Sequence, residues 1–184
     1  MISTCHVGTG TNADSTDPHH HTPYPAMNTA VDIPLPVVVR PPAQGKSIRV
    51  FGGELTQFVT AAESGGRLTA GLFVAPPENG PPVHIHRNED ELLIVIEGRF
   101  SFLTEGKWSE AGPGTTVFLP RGQAHAFRNV GGTIGKLYVI VNSPHLQTFF
   151  ERCEDPFYQL GGPDMARISA IGADHGIEFV APEE

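Results

Sequence analysis

Apolar residues recur along this chain in short runs, most of them closed by Gly, Pro or Asn. Ser47–Phe51, Glu54–Thr60, Arg67–Ala75, Val83–His86, Leu92–Ile96, Arg99–Thr104, Thr115–Leu119, Ala124–Asn129 and Lys136–Asn142 follow this pattern and predict strands. Gly98 and Gly106 fall where tight hairpins need positive φ. Many short strands at close spacing imply a sandwich or a barrel, and the absence of an internal repeat implies one barrel. The period then changes. Leu146, Phe149, Phe150 and Cys153 form a stripe at spacings of three and four, which predicts a helix over Ser143–Cys153. Ser143 is its expected cap, with Pro144 in the first turn. A second short helix is expected from Pro163 to about Asp174, with Ile168 and Ile171 inward.

The start of the chain lacks such patterning. Met1 to Met27 is rich in Thr, Gly, Asn, Asp, His and Pro, and this composition buries too little apolar surface to offset the entropy of ordering. The expected organisation is therefore a disordered or loosely attached extension over 1–35, a β-barrel over 36–145 and a helical segment over 146–184 that packs on the barrel. Met27 is read as the natural start, and His19-His20-His21 as a solvated tract without function. Deletion of residues 1–26 is expected to leave thermal stability nearly intact.

Composition supports this picture. The 21 Gly and 17 Pro suit many turns and argue against long helices. A net charge of −8 disfavours a nucleic-acid partner. Cys5 and Cys153 are the only cysteines, and Cys5 sits in the polar start, so no structural disulfide is expected. No apolar stretch reaches membrane-spanning length, and the start lacks the basic and apolar regions of a secretory signal. The expectation is a soluble cytoplasmic protein with no membrane partner.

The chemistry concentrates in His84, His86, Glu91 and His125. On a helix, residues two apart point to nearly opposite sides; on a strand they line one face. His84-Ile-His86 is thus a strand device that aims two imidazoles into one space, and Pro81-Pro82 just upstream opposes a helix. Glu91 lies at an odd offset from His86, so a turn over Arg87–Asp90 must intervene to bring it to the same side. His125 follows the turn Pro120-Arg121-Gly122 and begins another strand, with Phe127 inward and Ala126 outward. Three imidazoles and a carboxylate suit one divalent transition metal ion, with Fe, Mn, Ni, Co, Cu and Zn all open, and the lack of a thiolate disfavours a structural zinc knot. His6, His145 and His175 are read as surface or hydrogen-bonded residues.

At this point the chain resembles the cupin superfamily. The first cupin motif pairs His-X-His with a Glu and then a Gly, matched by His84, His86, Glu91 and Gly98. The Gly expected before the first His is displaced: Gly80 is nearer than the pattern places it, and Glu78 holds the expected position, a departure read as affecting a loop. Gly114, Pro120, Gly122, His125 and Asn129 match the second motif. The likeness is strongest over residues 80 to 130, and strand patterning extends it to most of 45 to 145. It implies an all-β jelly-roll barrel with the metal inside, often in a homodimer. It implies less about the reaction, because one fold hosts many functions.

Four protein ligands leave about two positions of a six-coordinate ion for a small-molecule substrate. Single-domain proteins of this kind resemble quercetin 2,3-dioxygenase-type cupins. The leading expectation is a metal-dependent dioxygenase acting on a small chelating aromatic or enolic substrate, with Glu91 both ligand and catalytic base. The alternatives are a non-redox, metal-assisted isomerase, cyclase or hydrolase, and a non-enzymatic binding cupin. Phe73, Phe102 and Phe127 are candidates for pocket walls. No His-Glu-X-X-His, Gly-X-Ser-X-Gly or complete P-loop appears.

Overall fold

The computed structural model describes residues 34–41 and 44–180. The expected extension, its His tract, Met27 and Cys5 lie outside the described residues, apart from positions 34 and 35. Eleven strands and two helices are described: β1 Lys46–Val50, β2 Gly53–Val59, β3 Thr69–Ala75, β4 His84–His86, β5 Glu91–Glu97, β6 Phe100–Thr104, β7 Lys107–Ala111, β8 Thr116–Leu119, β9 His125–Asn129, β10 Gly135–Val141, α1 His145–Phe157, α2 Met165–His175 and β11 Ile177–Phe179.

The strands form two antiparallel sheets, one ordered β1-β2-β3-β10-β5-β8 and the other β11-β4-β9-β6-β7. Alternation explains how they pack. On β3, β5 and β10 every second residue is buried, with Phe73, Leu93, Val95, Leu137 and Val139 facing the opposite sheet. Phe100, Phe102 and Phe127 face them from the second sheet. Gly98 and Gly106 have φ of 88° and 72° at the β5–β6 and β6–β7 hairpins, a region that disfavours side chains with a Cβ.

The nine expected strands are present with ends shifted by a residue or two, and β7 and β11 were not expected. Lys107-Trp-Ser-Glu-Ala111 is exposed along most of its length, so it shows no apolar alternation. Ile177-Glu-Phe179 has three residues, and its pairing with β4 is supplied by the fold rather than by local pattern.

Helix α1 also differs from expectation. Pro144, not Ser143, occupies the cap position, and Ser143 Oγ instead accepts a hydrogen bond from His145 N at 3.1 Å. The helix runs past Cys153 and through Pro156 to Phe157. Burial of Phe157, whose ring lies 4.5 Å from that of Phe51, offsets the lost backbone donor at Pro156. In α2, Asp164 caps the first turn by accepting from Arg167 N, Ile168 and Ile171 are inward, and Gly176 closes the helix at φ 74°. Among the described residues, no helix is long and apolar enough to cross a membrane.

An ion pair fixes the segment before β1. Arg40 holds the Glu63 carboxylate, and Glu63 Oε2 also accepts from Thr60 N and Oγ1 at 2.9 Å each. The Arg40 hydrogen bonds, then those from Thr60, hold Glu63 at about 2, below its ordinary 4.5. A carboxylate depressed in the folded state stabilises fully above its unfolded value, and this contribution is lost as pH falls from about 4.5 towards 2. Glu63→Gln is therefore expected to lower the melting temperature at neutral pH. The gap to the parent should close in that acid window, as thermal scans across pH would show.

Candidate metal centre

The two sheets bring His84, His86, Glu91 and His125 together. The imidazoles come from β4 and β9, and the carboxylate comes from β5 across the core. His84 and His125 are direct partners in the β4–β9 pairing, with ring centroids 4.4 Å apart. One ligand atom from each of the four residues lies within 4.8 Å of the others, and all four side chains are buried.

Hydrogen bonds set which nitrogen each imidazole offers. His84 Nδ1 donates to Pro82 O at 2.8 Å, His125 Nδ1 to Gln123 O at 3.0 Å, and His86 Nδ1 to Glu89 Oε1 at 2.8 Å. Each Nδ1 therefore carries a proton, and a ring in its neutral form offers the lone pair of Nε2. One consequence is direct. His125 Nε2 and Glu91 Oε2 face each other at 3.3 Å, buried, and neither has a hydrogen-bond partner. Two buried acceptors pointed at one another are costly, and a cation between them relieves the cost. The donor set thus fits a divalent transition metal.

The electrostatics of the metal-free cluster are uneven. Burial, then the neighbouring His125 and His86 rings, push His84 down to about 3, so it is neutral at ordinary pH. At His86 burial acts downward, but the Glu89 hydrogen bond and the charges of Glu91 and Glu89 outweigh it and raise the value. At Glu91 burial acts upward, but the His125 ring beside it and the other imidazoles outweigh that and hold the carboxyl below its usual range.

The turn between His86 and Glu91 does more than reverse the chain. Arg87 pairs with Glu178 of β11 at 2.6 Å, and Asn88 Nδ2 donates to His175 O at 3.0 Å. Asp90 accepts from Arg121 N at 3.0 Å and Nη2 at 2.8 Å, and from Asn142 Nδ2 at 2.8 Å. Gly122 N donates to His86 O at 2.7 Å, which ties the two motif loops together. Glu89 was not singled out in the sequence, where a Glu in a polar turn reads as solvated. Its position three residues after the second His was the only local sign.

A cavity of about 40 Å³ adjoins His84, His86 and Glu91. Its other lining residues are all apolar, with Phe73 and Phe127 from the sheets, Phe51 from the β1–β2 turn, Phe149 and Phe150 from α1, and Phe179 from β11. Phe102 is buried but does not line it. Ala126 faces the other way, into an outer groove with Trp108. His145 is exposed. His175 is buried, with Nε2 3.1 Å from Arg152 Nη1, and neither histidine joins the cluster.

The displaced Gly80 bears on the site more closely than its place in a loop suggests. A Cβ there would lie 1.9 Å from Phe127 O, so the loop before β4 is seated on the strand that carries His125.

Residues 71–141 match the family model described as Cupin domain. Among solved structures, the chain is similar to a predicted oxalate decarboxylase from Thermotoga maritima at 21% identity and TM-score 0.52, over 58% of this chain and 98% of that one. It is also similar to the polyketide cyclase RemF from Streptomyces resistomycificus at 21% identity and TM-score 0.50, over 60% and 93% of the two chains. No curated protein matches the chain in sequence. These findings support the cupin superfamily, with two antiparallel sheets consistent with a jelly roll. They do not single out the quercetin 2,3-dioxygenase-type group that the sequence led us to expect.

Proposed function

We propose that this chain is a metal-dependent, dioxygenase-like cupin acting on a small enolic or aromatic chelator, with His84, His86, Glu91 and His125 as metal ligands. The observation that carries the reading is the convergence of these four donors, three of which (His84, His86 and Glu91) line a cavity with no other polar side chain. No Lys or Arg lines the cavity, which disfavours a substrate whose charge must be matched outside the metal. Drug-sized ligands occupy clefts of roughly 300–1,000 Å³. The 40 Å³ here favours a compact molecule over a flavonol unless the aromatic wall moves.

When bound, the metal would orient and polarise two neighbouring substrate oxygens at its open positions. The phenylalanines hold the apolar body and exclude water. Glu91 accepts the proton of the enol or phenol.

The test is an oxygen-electrode screen of metal-loaded protein with enediols, diketones and catechols. O2 uptake matched to substrate loss supports the reading. Equal turnover without O2 replaces it with Lewis-acid isomerisation or cyclisation, and tight binding without turnover makes the chain a binding module. Glu91→Gln is expected to keep part of the metal yet lose about 10²–10⁴-fold in turnover. The homodimer and the cytoplasmic location are proposals of the same resemblance; sedimentation equilibrium and cell fractionation test them.

A further inference from the structure

Glu89 stands apart from the other groups around the cluster. It is fully buried, its Oε1 accepts from His86 Nδ1 at 2.8 Å, and its Oε2 has no partner. A buried carboxylate with one oxygen unsatisfied costs the fold stability, so its presence is not explained by packing. The other two imidazoles lean on backbone carbonyls, Pro82 O and Gln123 O. His86 alone leans on a carboxylate. The turn around it is pinned on both sides, by Asn88 to His175 O and by Asp90 to Arg121 and Asn142, so Glu89 has a fixed reach.

We propose that Glu89 is a positioning residue of the metal centre: it fixes the ring of His86 with Nε2 turned to the other donors, and makes His86 the strongest-donating imidazole of the three. A carboxylate attracts the Nδ1 proton more strongly than a carbonyl does, and this raises electron density at the opposite nitrogen. The three histidines are therefore unequal donors although the motif writes them alike. The inference rests on the metal-ligand reading and is independent of whether O2 is consumed.

Zn2+ titration of the full chain against a competing chelator tests it. Glu89→Gln, which keeps size and an acceptor but removes the charge, is expected to bind Zn2+ about 10- to 100-fold more weakly than the parent. A second measurement needs no variant. In the Zn2+-loaded parent, proton–nitrogen NMR should place the Nδ1 proton of His86 downfield of those of His84 and His125. If Glu89→Gln folds and binds as tightly as the parent, or if the three Nδ1 protons resonate alike, the role assigned to Glu89 is overturned while the metal site stands. Failure of the parent chain to bind Zn2+ or Co2+ overturns both.

Discussion

His125→Ala is expected to empty the metal site. His125 is 2% exposed, is the only donor contributed by the second motif, and lies opposite His84 in the strand register. Structural zinc sites with four ligands bind with roughly 10–16 kcal/mol, which spread evenly is about 3 kcal/mol per ligand, or on the order of 100-fold in affinity. His84→Ala should behave alike. The metal-free fold should suffer less, because the substitution at His125 also removes one of two unsatisfied acceptors that face each other at 3.3 Å. The signature is thus a separation of two melting curves. Added metal raises the melting temperature of the parent by mass action, and it barely moves that of the variant. Elemental analysis of purified protein gives the occupancy directly. Full metal content in either variant would show that the ligand set has been misassigned.

How much of this was legible in the sequence depended on whether the determining contact was local. His84-Ile-His86 declared a strand by spacing alone, and the odd offset to Glu91 required the turn that the structure places at Arg87–Asp90. The motif glycines likewise marked turns, with Gly122 at φ 82°. What escaped reading was set by distant partners. β11 pairs with β4 across about half the length of the chain, and nothing within Ile177–Phe179 says so. The burial of Glu89 is also supplied by the fold, since α2 and β11 hold its turn through His175 and Glu178. The aromatic wall was half legible. Phe73, Phe102 and Phe127 were candidates from their strands, but parity alone did not separate Phe102 from the two that line the cavity, and Phe149, Phe150 and Phe179 reach it only because the C-terminal segment returns over it. The stripe on α1 announced a packed helix without naming the surface it packs on.

Gly80→Ala is expected to be the most damaging small substitution outside the ligands. Its Cβ would sit 1.9 Å from Phe127 O and 3.1 Å from the Cα of Arg128, both backbone atoms of β9 that no side-chain rotation can move away. The strain has nowhere local to go. Glu78 N donates to Asn129 O at 2.8 Å, and Asn129 N donates to Asn79 O at 3.0 Å, so the segment is laced to β9 just before Gly80. Just after it, Pro82 O holds the His84 ring. Overpacking of this kind costs about 3 kcal/mol, which in a chain of this size lowers the melting temperature by about 6–12 °C. Metal affinity should fall as well, because relief of the clash must move either the approach to His84 or the strand of His125. Gly132→Ala is the matched control: a Cβ there meets nothing within 4 Å, so its melting temperature should stay within about 1–2 °C of the parent. If Gly80→Ala melts with the control, the loop is not seated on β9. The register that sets His84 against His125 would then lose its principal support outside the strands themselves.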